Sequence, residues 1–287
     1  MTTTDLPAKP YQTTSFDAST NKPSACNSTL DDTFAAIDWQ APWLCHLNQL
    51  GYISKAITKL SGLKNEPAQT DIIENTSDII AKVLNTALQQ QADDLQQPLP
   101  QTKPALNNQA QTLQFVSQNA LPEGEAYESF IGTTGNIPTR DNLHDLFNGS
   151  IWLTFPKTKA LLNYYHMLEI EQQGIGASRG RVRDTITVFD ENGAILVTAE
   201  PSIGEALIDF DWQASLVAPR DKWDKPKQSD NHSQAAVYIF GHALLEKLLQ
   251  PRKALCAHSI VINVTPDFFA LSLSERISHL DKRVADY

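Results

Sequence analysis

His242 and Glu246 form the pair whose spacing makes the clearest chemical sense. They stand four residues apart in FGHALLEKLLQPRKALCAH, so on a helix both reach one ion or one substrate group. An imidazole and a carboxylate placed this way suit a divalent metal, with a third ligand drawn from His144, Asp145 or His258. The plainer alternative is an i,i+4 hydrogen-bonded pair that adds roughly a few tenths of a kcal/mol to its helix. His242 follows Gly241 in a strand–Gly–helix pattern, which puts its ring in the first helical turn. The positive end of the helix dipole disfavours protonation there and leaves the ring free to act as ligand or base.

A second segment, PTRDNLHDLFNGSIWLTFPKTK, puts His144, Asn148 and Trp152 at four-residue steps, with Asp145 beside them. Leu143, Leu146, Phe147 and Ile151 take the opposite face, toward a core. The polar face mixes donors, acceptors and an apolar wall, as a binding site requires, although an exposed face of a surface helix has the same composition. His144, Asp145 and Lys159 are the catalytic candidates of this stretch. A third segment, RGRVRDTITVFDENG, gathers Arg179, Arg181 and Arg183 around Asp184. Arginine forks suit carboxylates and phosphates, which makes Asp184 a further catalytic candidate. Pairing on a sheet face explains the same residues, and such surface pairs are usually inert.

Several signatures are absent from the sequence: G-x-S-x-G, G-x-x-x-x-G-K-[ST], G-x-G-x-x-G and H-E-x-x-H. Gly174-Ile175-Gly176 follows a helical pattern rather than a strand, the wrong context for a dinucleotide loop. Cys256 lies two residues from His258, but nothing orients that imidazole as a base for a thiol.

These residues must be positioned by the rest of a 287-residue chain with 41% hydrophobic and 20% charged residues, enough for one sizeable core. Acids outnumber bases 33 to 23, a net charge of -10, which argues against a phosphate-binding stripe and hence against nucleic acid. A local pocket for a small anion remains compatible with that balance. The three cysteines, Cys26, Cys45 and Cys256, show no C-x-x-C and fit reduced thiols. The N-terminus lacks an apolar targeting core, and no window approaches the ~18 apolar residues of a membrane span. The expectation is a soluble, cytoplasmic protein.

Residues 1–32 are polar and Pro-rich and read as a disordered tail, with a single domain over 33–287. Helical periodicity covers Leu47–Leu60 and Asp71–Gln91, and a polar Gln/Pro loop or insertion spans 89–111. Thr139 is the expected cap of the helix carrying His144, and Pro156 opens the next, which Gly174 ends. Two β-rich runs flank Asn192-Gly193, the preferred centre of a type I′ hairpin. TLQFVSQ, AAVYIF and AHSIVINV read as strands, HALLEKLLQ as a helix, and SLSERISHLDKRVADY as a helix with a Ser272–Glu275 capping box. The fold class is α+β: a predominantly helical single domain with a small, mainly antiparallel sheet built around the Asn-Gly hairpin.

LPEGEAYESFIGTTGNIPTRDNLHDLFN, WLTFPKTKALLN, RGRVRDTITVFDENGA and FGHALLEKLLQPRKALCAH, in this order, resemble the motifs of a proteobacterial domain of unknown function. Asp38-Trp39 with Pro42-Trp43, and QFVSQNALP, fit the same family, so the resemblance covers most of residues 34–262. It implies a bacterial protein but no known activity, cofactor or partner. It places His144, Asp145, Asn148, Lys159, Asp184, His242, Glu246, Lys247 and His258 inside shared motifs. Where the family reads T-A-H, this chain has Cys256-Ala257-His258, which weakens a catalytic role for position 256. The 89–111 stretch looks like an insertion peculiar to this chain.

Two functions compete. One is a metal-assisted hydrolase, with His242, Glu246 and one or two of His144, Asp145 and His258 on a divalent ion, and Lys157, Lys159 or Arg181 neutralising developing charge. Its variant is a His–metal nuclease with His144 as base and Asn163 or His166 near the metal, which would require a β-hairpin around His144. The other is a non-catalytic accessory protein that binds a small anion or a protein partner.

Overall fold

The computed structural model describes residue 34 and residues 37–47, 51–55, 57, 77–104, 109–173, 180–224 and 233–286. The expected tail over 1–32, the Gly174-Ile175-Gly176 turn, Arg179, and much of the helical patterns over 47–60 and 71–76 lie outside them.

Ile80, Val83, Leu84, Ala87 and Leu88 recur at three- and four-residue steps, and they form the buried stripe of helix α1, Ile79–Leu95. The helix therefore continues into the Gln-rich stretch before Pro98 and Pro100. Asn85 on α1 exchanges two hydrogen bonds with the backbone of Phe115, at 2.7 and 2.8 Å, and so fixes strand β1, Gln114–Ser117, against the helix. Helix α2, Tyr127–Thr134, ends at Gly135 with φ 74°, a left-handed position suited to glycine. Strand β2, Asn136–Thr139, returns parallel to β1, with Gln114 opposite Asn136.

Helix α3, Leu143–Thr154, follows. Its cap is Asn142, whose side chain accepts from Asp145 N at 2.7 Å, and not Thr139, which lies in β2. Helix α4, Pro156–Gln173, starts on Asp281: that carboxylate accepts from Lys157 N and Thr158 N at 3.0 and 2.8 Å.

RVRDTITVFDEN is helix α5, Arg181–Asn192, and only Gly193–Thr198 is strand, β3. The Asn-Gly hairpin is thereby overturned. A type I′ turn needs positive φ at both central residues, whereas Gly193 has φ −75°. Val182, Ile186 and Phe189 also satisfy a helical step, and packing decides between the two periods: Ile186 is buried, and Phe189 stacks on Phe240 with centroids 4.8 Å apart. Arg181 and Arg183 consequently lie on a helix rather than on a sheet face.

Helix α6, Pro201–Ile208, precedes strand β4, Ala235–Ile239. Helix α7, His242–Leu248, strand β5, His258–Asn263, and helix α8, Leu273–Ala285, complete the described chain. Helix α8 begins with the expected Ser272–Glu275 capping box.

The architecture is α+β and largely helical, with two small sheets. β1 and β2 pair in parallel, while β3 is central in a mixed sheet, antiparallel to β4 and parallel to β5. The sheets are therefore antiparallel only at β3–β4. Every residue of β3 is buried, and its core continues through Phe240, Phe155, Phe147 and Ile151 to the α1 stripe.

Candidate metal centre

Two glycines let the C-terminus of α5 press against the N-terminus of α7. Phe240 N and Gly241 N both donate to Gly193 O, at 2.9 and 2.8 Å. A Cβ on Gly241 would stand 2.5 Å from Asn192 N and Glu191 O, so only glycine permits this approach. The next residue, His242, opens α7 directly beside Asp190 and Glu191 at the end of α5. Helix α3, packed on α7, supplies His144 from its first turn.

The result is a junction of three helices. His242 Nε2 is 3.0 Å from His144 Nε2, with the rings edge to face. Glu191 Oε2 is 3.7 Å from His242 Nε2, and His144, Glu191 and His242 each offer one donor atom within 4.8 Å of the others. Two nitrogens held tetrahedrally at about 2.0–2.1 Å from zinc stand about 3.3 Å apart, close to the separation seen here.

Behind each imidazole lies a carboxylate. His144 Nδ1 is 3.3 Å from Glu246 Oε2. His242 Nδ1, which makes no well-formed hydrogen bond among the described residues, faces Asp190, with Oδ2 at 3.9 Å. Asp190 in turn binds Lys159 Nζ at 2.6 Å. Lys159 donates to Asn148 Oδ1 at 2.9 Å and lies over the Trp152 ring, and Asn148 donates to Tyr127 OH at 3.1 Å. The ammonium is almost wholly buried, 6% exposed, so its pairing with Asp190 holds both charges in place.

The electrostatics follow from this packing. Burial drives His242 down to about 4 and outweighs the pull of the Asp190 carboxylate, so the ring is neutral at physiological pH. Burial alone would push Asp190 up, but Lys159 and the neighbouring imidazoles prevail and hold it below its usual range. Glu191 is raised, chiefly by burial, with the Asp190 carboxylate adding to the shift. A partly desolvated carboxylate beside neutral imidazole nitrogens gains most from a cation placed between them.

Among the predicted site residues, the fold brings together His144, His242, Glu246 and, through Asp190, Lys159. Asp145 turns the other way: its carboxylate is clamped by Arg140 Nε and Nη2 at 3.0 and 2.9 Å. Asp184 is exposed in the first turn of α5, at the opposite end from Glu191. His258 is exposed at the start of β5, opposite Gly193. Glu246 contacts the far nitrogen of His144, and Glu191 occupies the third corner. Sequence reading missed Asp190, Glu191 and Tyr127. The first two were hidden in the expected hairpin, and the helical step of Val182, Ile186 and Phe189 is the signal that would have revealed them.

His144 lies on a helix, so the hairpin that the nuclease variant requires is not there. Asn163 and His166 sit further along α4, where Asn163 donates to Glu128 O at 2.9 Å and burial lowers His166. Among the described residues no helix is long and apolar enough to cross a membrane.

A family model described as a protein of unknown function, DUF3025, matches residues 113–287. The chain belongs to the DUF3025 family. The matched span contains every residue of the three-helix junction, while α1 precedes it. No curated protein and no solved structure matches the chain.

Proposed function

We propose that this DUF3025 protein is a metal-dependent hydrolase in which His144 Nε2, His242 Nε2 and a Glu191 oxygen hold one divalent ion. The observation that carries this reading is the orientation of the two imidazoles. Each turns Nε2 toward the other beside Glu191; His144 Nδ1 meets the Glu246 carboxylate at 3.3 Å, and His242 Nδ1 faces Asp190 Oδ2 across 3.9 Å. A carboxylate behind the ring fixes the tautomer that leaves the opposite nitrogen with its lone pair, as in carboxylate–histidine–metal arrangements. Lys159 favours the ionised form of Asp190 behind His242, and the Glu246 carboxylate orients His144 through its Nδ1. Two histidines and one glutamate form a catalytic rather than a structural donor set, because they leave a coordination position for water.

An ion held by His144, His242 and Glu191 would supply an activated water and a polarised ester oxygen at this junction, so that a water oxygen would replace the leaving oxygen on phosphorus or acyl carbon and the leaving oxygen would take up the water's proton. A groove beside the centre is lined by Leu143, Glu246, Leu249 and the cations Lys247 and Arg252, so we infer an anionic substrate with a small apolar part. Cys256 forms no disulfide among the described residues, which suits a reducing, cytoplasmic setting.

The test is hydrolysis of p-nitrophenyl phosphate, bis-p-nitrophenyl phosphate and p-nitrophenyl acetate with zinc, manganese or iron supplied. Metal-dependent turnover abolished by Glu191→Gln and by His242→Gln supports the reading. Turnover unaffected by both variants overturns it. A metal-free protein that binds an anionic ligand through Lys247 and Arg252 would favour the accessory-protein alternative.

A further inference from the structure

The end of α6 and the residues that follow it expose apolar surface that no packing among the described residues covers. Ile208, Phe210, Trp212, Leu216 and Val217 are all exposed within ten residues, and Phe210 reaches 72%. Isolated exposed apolar side chains are ordinary, but five together form a patch of the kind that marks a binding surface.

The patch is held rigidly. Asp211 N donates to Ala206 O at 2.8 Å, and Asp211 Oδ1 accepts from Ala214 N at 3.0 Å. Ser215 is fully buried, and its hydroxyl donates to Asp211 O at 2.7 Å, while its own carbonyl accepts from Trp223 Nε1 at 3.0 Å. Residues Gln213–Val217 form a single π-type turn, a feature common at functional sites. Phe210 has φ 57°, a conformation that disfavours bulky side chains, and its ring meets Trp212 edge to face with centroids 5.7 Å apart. A strained backbone that displays an aromatic ring to solvent indicates a role beyond folding.

Charge selects the occupant. Among the described residues of the same segment, Glu205, Asp209, Asp211 and Asp221 are exposed acids and Arg220 is the one exposed base. A second copy of the chain would set these carboxylates against their own kind across a two-fold interface. An anionic bilayer would be repelled by them and by the net charge of -10. We propose that this surface docks a partner protein through a basic amphipathic segment, whose apolar side chains cover Phe210 and Trp212 and whose lysines or arginines meet Glu205, Asp209 and Asp211.

The experiment is fluorescence-anisotropy titration of the full chain with a labelled Leu/Lys amphipathic helical peptide and its Leu/Glu twin. Phosphatidylcholine vesicles and light scattering behind size exclusion serve as parallel arms. Saturable binding of the Leu/Lys peptide is expected, at least tenfold weaker in Phe210→Gly/Trp212→Ser and weakened in Asp209→Asn/Asp211→Asn. Phe210→Gly removes the φ penalty, so its melting temperature should hold or rise, which separates lost binding from lost folding. Equal affinity in the aromatic variant, or an equally tight Leu/Glu twin, overturns the proposal. So does vesicle co-sedimentation, or a dimer that the aromatic variant disperses.

Discussion

His242 and His144, 98 residues apart in the chain, bring their Nε2 atoms to 3.0 Å. The His242 side chain is 5% exposed and the His144 side chain 34% exposed, so the contact lies at the edge of the core. Two imidazole nitrogens at this distance share a proton in one hydrogen bond, or, on the proposed reading, a cation beside the Glu191 carboxylate.

The ranking of carboxylates distinguishes ligand from support. Glu191→Gln should weaken zinc binding by two orders of magnitude or more, since it removes a charged donor. Asp190→Asn and Glu246→Gln should cost roughly 10–100-fold, the usual effect of a group that orients a ligand. Competitive titration with a chromophoric chelator would read all three. A larger effect for Glu246→Gln than for Glu191→Gln would reverse the roles assigned here.

Glu191 should also be a burden to the metal-free fold. Its pKa is raised chiefly by burial, so at pH 7 the ionised carboxylate is held where it is poorly solvated. Glu191→Gln is therefore expected to raise the melting temperature of the apo protein while it removes metal affinity. A melting temperature that falls would show Glu191 to be a structural partner instead.

Acid should destabilise the fold between about pH 6.5 and 4. His242 and His46 are each lowered from 6.5 to about 4 by burial. In that window the unfolded chain binds protons that the folded chain does not, so stability rises with pH and is complete above about 6.5. Each histidine contributes up to a few kcal/mol at the acid end. Thermal melts of the apo protein against pH should lose part of this slope in His242→Gln. An unchanged slope would contradict the buried, neutral assignment.

Helix α7 with His242 and Glu246 on one face, and α3 with His144 and Asn148, are legible from four-residue spacing alone, and the capping box of α8 from the three-residue step of Ser272 to Glu275. The junction was not, for a local reason and a distant one. Ile186, Thr187 and Val188 are β-branched and sit beside Asn192-Gly193, so the segment satisfies strand and helix periods together; only Phe240, over 50 residues away, decides for the helix and thereby presents Glu191. The parallel pairings of β1 with β2 and of β3 with β5 join strands whose partners are set by crossovers, which no local pattern specifies.

The Lys159–Asp190 pair should show strong coupling. Lys159→Met leaves Asp190 without its cation and is expected to cost about 3–5 kcal/mol, with much of the loss recovered in Lys159→Met/Asp190→Leu. Urea unfolding of the two singles and the double gives the cycle. Additive losses would deny the pairing.

Gly241→Ala should separate α5 from α7. Its Cβ would meet backbone atoms of Glu191 and Asn192 at 2.5 Å, and backbone has little room to yield. A loss of about 1–3 kcal/mol is expected, together with weaker metal binding because Glu191 moves from His242. Full affinity in a destabilised variant would show that the close approach serves folding alone.

The most direct test of the account is equilibrium dialysis of the full chain against zinc, manganese or iron, followed by elemental analysis, with Glu191→Gln/His242→Gln treated alongside. Close to one ion per chain is expected, bound by the wild-type protein and absent from the double variant. A wild-type protein that takes up no ion after metal is added back, or a double variant that binds as well as wild type, would contradict it.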